Sequence, residues 1–267
     1  MSLFEKLKLS FHKNYSIDFK PLQGSKELVV IFSPTAKFNL YKHEFNKNAL
    51  FLADRKLNYY MLNPGRQTKL IRDFVLSSGF SSVVFLGSSK GATGSLLWSS
   101  IFSKSIDGSG VKVSCFAFSP QTLLYPYNEN IIFPSYKKMY DSLDGNQSLK
   151  TCLIQYGDIP KIVESSKAFT VVIYSSGHIV DKNEAERIFG ERIVHVRIPL
   201  SFHGSITPFI IDRNDPDAVK KISKKLFINA VKDEDLSATL PATMSELCNI
   251  LNGLHFSSLN NFIEALS

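Results

Sequence analysis

Short runs of β-branched and aromatic residues alternate along the chain with segments of helical length. Runs at 27–32, 57–62, 83–86, 112–118, 170–174 and 193–198 predict strands. Several are apolar at consecutive positions, as strands covered on both faces are. Between them, 67–77, 93–103 and 182–189 read as helices. A further helix is expected at 217–231, with Ala218, Ile222, Leu226 and Ala230 on one stripe. Alternation of this kind predicts an α/β fold: a mainly parallel sheet, helices on both faces and right-handed crossovers.

Two segments interrupt the rhythm. Residues 121–167 separate two predicted strands by far more than an ordinary connection and are rich in Tyr, Pro and Asn. This insertion, just before the strand at 170–174, is expected to act as a lid or wall over the functional site. Its Tyr125, Pro126, Tyr127 and Tyr136 offer a surface on which a sugar could stack. From 236 to 267 the pattern gives a C-terminal helical extension, with helices near 243–254 and 258–266 that pack on the body or at an interface. The whole of 1–267 reads as one domain, a size that buries a substantial core.

The composition, 44% hydrophobic and 21% charged, is that of an ordinary globular chain. Its longest apolar runs fall well short of a membrane span. No secretory signal is legible in 1–10, so a cytoplasmic location is expected. A net charge of +7 suits an anionic ligand. The basic residues are scattered, though, and do not interleave with aromatics as a nucleic-acid surface requires. No nucleic-acid partner is expected, and homo-oligomerisation is left open. Cys115, Cys152 and Cys248 are too widely spaced for a zinc knuckle or a redox pair. No metal is expected, because no His, Asp or Glu cluster shows ligand spacing in the sequence.

The strongest chemical signal follows the strand at 83–86. Gly87-Ser88-Ser89-Lys90-Gly91 leads into the small-residue helix that opens Ala92-Thr93-Gly94-Ser95. Strand, glycine-flanked turn and helix resemble the nucleophile elbow of α/β-hydrolase-fold proteins. Such a turn holds the central serine exposed above the sheet, with the amide of Lys90 and the helix dipole available to an oxyanion. The order Gly-Ser-Ser-Lys-Gly is not that of a Walker phosphate loop.

A serine needs a general base, and in α/β-hydrolases the chain order is Ser, acid, His. The last two predicted strands supply that order. Asp181 follows 170–174 and is expected to cap the helix at 182–189. His203 follows 193–198. Asp158 is the alternative acid and His178 the alternative base, although His178 reads better as a packing neighbour of the acid. His195, inside a strand, is expected to be structural. The second oxyanion amide should come from the loop after 27–32. Pro34 has no amide hydrogen, so Ser33 is preferred over Thr35.

Gly87, Ser89, Gly91, Asp181 and His203 together resemble a branch of α/β-hydrolase-fold proteins from bacterial surface-polysaccharide loci, over roughly residues 27–208. That branch includes capsule O-acetyltransferases and acetyltransferase-like subunits of accessory secretion systems. Two departures stand out. The acid lies four residues after Gly177, and Phe32-Ser33 stands where many esterases have His-Gly. The resemblance implies acyl transfer or ester hydrolysis through a Ser-His-Asp triad on a small-molecule or glycan ester. No bound cofactor is implied, with acetyl-CoA a candidate acyl donor. The alternative is an inactive hydrolase-like scaffold that docks a protein partner on its C-terminal helices.

Overall fold

The computed structural model describes residues 1–212, 215, 217–232, 240–253, 255–256 and 258–267. Among these, seven strands form one sheet: β1 (Tyr15–Lys20), β2 (Glu27–Ser33), β3 (Asn48–Asp54), β4 (Ser82–Ser88), β5 (Lys112–Phe118), β6 (Phe169–Ser175) and β7 (Ile193–Ile198). Their spatial order is β1-β3-β2-β4-β5-β6-β7. All neighbours are parallel except β1, which pairs antiparallel with β3 at the edge.

The consecutive apolar positions of the central strands divide, by the two-residue period of a strand, between two cores. Leu28, Val30 and Phe32 of β2, Val83 and Phe85 of β4, and Cys115 and Ala117 of β5 face one. Val29, Ile31, Val84, Leu86, Phe116 and Phe118 face the other. The first is covered by α1 (Leu3–Ser10), α2 (Pro64–Ser78), α3 (Lys90–Ser105) and α7 (Ile179–Ala185). The insertion adds three helices to this side: α4 (Pro134–Asp141), α5 (Gln147–Tyr156) and α6 (Ile159–Glu164). Burial pushes the Cys115 thiol up to about 11, as befits a small core residue.

The second core is closed by α8 (Thr207–Ile210), α9 (Ala218–Lys232), α10 (Leu240–Gly253) and α11 (Leu259–Leu266). Phe262 of α11 packs its ring 5.8 Å from Phe116, 6.2 Å from Phe118 and 4.5 Å from Phe209. Burying such a ring is worth about 2–3 kcal/mol. The C-terminal helices therefore contribute to the core of the fold. Residues 236–239, 254 and 257 of the expected extension, and the side chain of Ala230, lie outside the described residues.

The sheet departs from the sequence reading at its β1 edge, where β1 and β3 are strands that reading did not expect. Residues 57–62 are not a strand, and Asn48–Asp54 is. Leu57, Tyr59, Tyr60 and Asn63 have φ between 48° and 61°, a turning conformation that no strand accommodates. Buried Asp54 holds the turn by accepting from the amides of Lys56 at 3.0 Å and Tyr60 at 3.1 Å. The loop thereby places Tyr60 beneath the elbow. The tyrosine hydroxyl donates to Ser33 O at 2.8 Å, and Tyr60 O accepts from the Trp98 indole at 2.9 Å.

Candidate active site

Ser89 sits between β4 and α3 with φ 52° and ψ −126°, a strained backbone for a residue with a Cβ. The flanking glycines explain how the turn closes. A Cβ on Gly87 would lie 2.1 Å from Gly91 O, and one on Gly91 would lie 2.1 Å from Phe32 O. No side chain fits at either position. The same contacts bring the end of β2, with Ser33, against the start of α3, with Lys90. Both expected oxyanion donors thus lie at one end of the sheet beside the elbow. The Ser89 amide donates to Phe118 O at 2.8 Å, tying the elbow to the end of β5.

From there a hydrogen-bonded path runs to the loop after β7. Ser119, next in the chain and also at positive φ, donates its amide to Ile173 O at 2.7 Å. Its hydroxyl lies 2.8 Å from that of Ser205, which also reaches Ile173 O at 3.1 Å. Ser205 is two residues from His203. The sequence reading missed Ser119 and Ser205. A Ser-Pro directly after a buried strand was the available signal, but serines in loops are too common to single out.

The structure brings His203 and Asp181 together, with His203 Nδ1 2.6 Å from Asp181 Oδ1. His178 Nδ1 reaches the same oxygen at 3.0 Å. Asp181 is not the N-cap of its helix. His178 is, and α7 begins at Ile179, which puts Asp181 in the first turn. His178 Nδ1 also lies 3.3 Å from the Asp181 amide. One nitrogen cannot accept from that amide and donate to the carboxylate at once, and the shorter contact is to the carboxylate.

Asp181 is fully buried. Burial alone would raise its pKa, but the imidazoles of His203 and His178 outweigh that and hold it well below the usual carboxylate range. The group stays ionised, as an orienting carboxylate must. Among the described residues, its Oδ2 has no hydrogen-bond partner.

His178, Asp181 and His203 do form a cluster of ligand-type atoms, all within 4.8 Å of one another, which the sequence spacing had not revealed. A zinc ion would stand about 2.0–2.2 Å from each nitrogen and oxygen, between them. The contacts of 2.6 and 3.0 Å lie in the range of direct hydrogen bonds between these side chains.

The remaining histidines and the alternative acid lie elsewhere. His195 Nε2 is 2.7 Å from Ile188 O in a structural contact. Asp158 pairs with Lys161 at 2.8 Å at the start of α6.

The insertion meets this site from above. Phe133 packs its ring 4.8 Å from that of His203, and Lys90 Nζ donates to Ser135 Oγ at 3.1 Å. Its root is held by Glu184, a fully buried residue of α7 that the sequence reading passed over. Glu184 accepts from the amides of Thr122 at 2.7 Å and Leu123 at 3.0 Å, and from Asn128 Nδ2 at 2.8 Å. One short helix thus carries Asp181 and anchors the insertion. Glu184→Ala strands the buried Thr122 amide and the half-buried Leu123 amide, and is expected to cost about 3 kcal/mol of stability by urea unfolding. Glu184→Gln, which keeps one acceptor oxygen, should cost less. An alanine variant as stable as the parent would refute this anchoring.

A mainly parallel sheet covered on both faces, with a serine elbow after its central strand β4, is the α/β-hydrolase fold. No protein-family profile matches the sequence, and neither does any curated protein. Solved structures of similar fold include an acetyl xylan esterase from Paenibacillus sp. R4, at 15% identity and TM-score 0.49, covering 81% of this chain and 79% of that one. Another is a lipase-esterase related protein from Clostridium acetobutylicum, at 9% identity and TM-score 0.47, covering 80% and 99%. A third is an α/β-hydrolase enzyme from a lagoon-sediment metagenome, at 14% identity and TM-score 0.44, covering 83% and 98%. At such distances these likenesses say nothing of this chain's substrate. Among the described residues, no helix is long and apolar enough to cross a membrane.

Proposed function

We propose that the protein is a serine esterase or acyltransferase acting through Ser89, His203 and Asp181. The observation that carries this reading is the 2.6 Å contact between buried, ionised Asp181 in the first turn of α7 and His203 Nδ1, in a loop tied to a strained serine elbow. With Nδ1 committed to the carboxylate, Nε2 is the basic nitrogen. In this reading Nε2 takes the Ser89 proton as Oγ attacks an ester carbonyl. The amides of Lys90 and Ser33 hold the oxyanion. Collapse releases the alcohol with that proton and leaves an acyl-serine. Water then regenerates the enzyme in hydrolysis, or a sugar hydroxyl does so in transfer.

The resemblance to capsule O-acetyltransferases directs the proposal to acetyl esters of a bacterial surface glycan, with acetyl-CoA a candidate donor for the transfer direction. The scaffold alternative needs the C-terminal helices as a docking face. Their buried Leu247, Leu259, Phe262 and Ile263 are committed to the second core instead. A fluorophosphonate probe should label Ser89 covalently, as read by mass spectrometry of the modified peptide. An unlabelled, folded protein would favour the scaffold.

A further inference from the structure

The insertion carries a concave feature of its own, lined by none of the elbow residues. A cleft of about 460 Å³ is walled by the rings of Tyr125, Tyr127 and Tyr140. Tyr140 lies nearly parallel to Tyr125, at 6.4 Å and 12°, and edge-on to Tyr127, at 4.8 Å and 73°. Tyr127 is 46% exposed. It is backed by Tyr136, stacked on it at 5.5 Å. The sequence reading had Tyr136 on this surface. It is fully buried instead, accepting from the Asn128 amide at 2.8 Å and donating to Leu124 O at 3.2 Å. It fixes Tyr127 in place, and Tyr140 takes its position on the wall.

The charges around these rings come in opposite pairs. Lys137 and Lys150 line the cleft together with Asp141 and Asp144. An aromatic cage for a quaternary ammonium ion would carry carboxylates without lysines. An anion site would carry the reverse. Balanced donors and acceptors around exposed ring faces suit a neutral molecule bearing many hydroxyls. The negative ring faces attract the weakly positive C–H face of a pyranose, and the charged rim meets its hydroxyls. Tyr136 in turn lies 6.2 Å from Tyr59, whose ring centre is 5.9 Å from Lys90 Nζ. The cleft is therefore linked to the Lys90 side chain through the buried rings of Tyr136 and Tyr59.

We propose that the Tyr125–Tyr127–Tyr140 cleft is a binding subsite for a neutral oligosaccharide, holding the glycan whose ester is presented to Ser89. The second half of that statement rests on the esterase reading, but binding can be measured without it.

The test uses saturation-transfer NMR and calorimetry with xylotetraose, mannotetraose, chitotetraose and the anion tetragalacturonate. At least one neutral tetrasaccharide should bind, and more tightly than tetragalacturonate. Tyr127→Ala, at an exposed position, should weaken that binding at least tenfold, and Tyr127→Trp should restore it. Failure of all three neutral sugars to bind, preference for the anion, or unchanged affinity in Tyr127→Ala would each overturn the subsite.

The kinetic arm separates the two readings. Tyr127→Ala should raise KM for an acetylated form of the bound tetrasaccharide about tenfold. It should leave kcat/KM for 4-nitrophenyl acetate, which has no sugar, unchanged. Binding without cleavage of either ester would retain the subsite and refute the esterase.

Discussion

Ser89→Ala is expected to abolish turnover of 4-nitrophenyl acetate and to leave the fold as stable as the parent. The two halves of this result have separate causes. Ser89 stands at the N-terminus of α3, but its side chain makes no capping hydrogen bond there. Removing Oγ therefore leaves the helix unharmed and takes away only the attacking atom. The backbone strain at φ 52° remains, because alanine also has a Cβ. Ser89→Gly relieves it and should be equally inactive but more stable by about 1 kcal/mol. Release of nitrophenol and urea midpoints on the three proteins decide both points. A folded alanine variant with full turnover would end the assignment of Ser89 as nucleophile.

His203→Ala is expected to lower kcat/KM on the order of several thousand-fold, comparable to the loss of Ser89, since the groups of a triad act as a unit. Asp181→Asn should cost less, roughly a thousandfold. It keeps the shape but can offer the wrong partner to Nδ1–H, and it leaves His178 and His203 around a neutral amide. His178→Ala should cost only about tenfold, because His203 retains the closer contact, 2.6 Å against 3.0 Å. The ranking is what tests the geometry. Were His178→Ala the more damaging of the two histidine changes, the base would have to be reassigned to His178, whatever the absolute rates. Pre-steady-state acylation, measured on all three variants and the parent, gives the order directly.

The placement of much of the candidate site could be read from the sequence because its parts are fixed by local rules. Gly87 and Gly91 are demanded by backbones that touch, and such a demand leaves a mark in the residue types themselves. Asp181 and His203 were placed by topology, since loops following parallel strands emerge at one end of a sheet. What escaped notice depends on distant parts of the chain. Nothing in the sequence near Glu184 reveals that its carboxylate will receive amides some sixty positions earlier. Tyr136 and Tyr140 are four residues apart on one helix, and only the packing of α4 shows which is buried. The misplacement of a strand at 57–62 has the same origin. Tyr59 and Tyr60 suit a strand by propensity, but buried Asp54 bends their backbone into a turn that propensity cannot register.

The two-core division of the sheet has a consequence for how the chain is made. Phe116 and Phe118 leave the ribosome early, yet the ring that covers them, Phe262, is synthesised roughly 140 residues later. At about 5–20 residues per second that delay is on the order of ten seconds. Through that interval Val29, Ile31, Val84, Leu86 and both phenylalanines are covered only as α8, α9 and α10 follow, and the cover stays incomplete until α11 is made. The first core can close before the C-terminal helices are made, whereas the second must wait for α11. Chaperone capture of stalled chains should therefore be strong for those halted after β7 and should disappear once α11 is free of the exit tunnel.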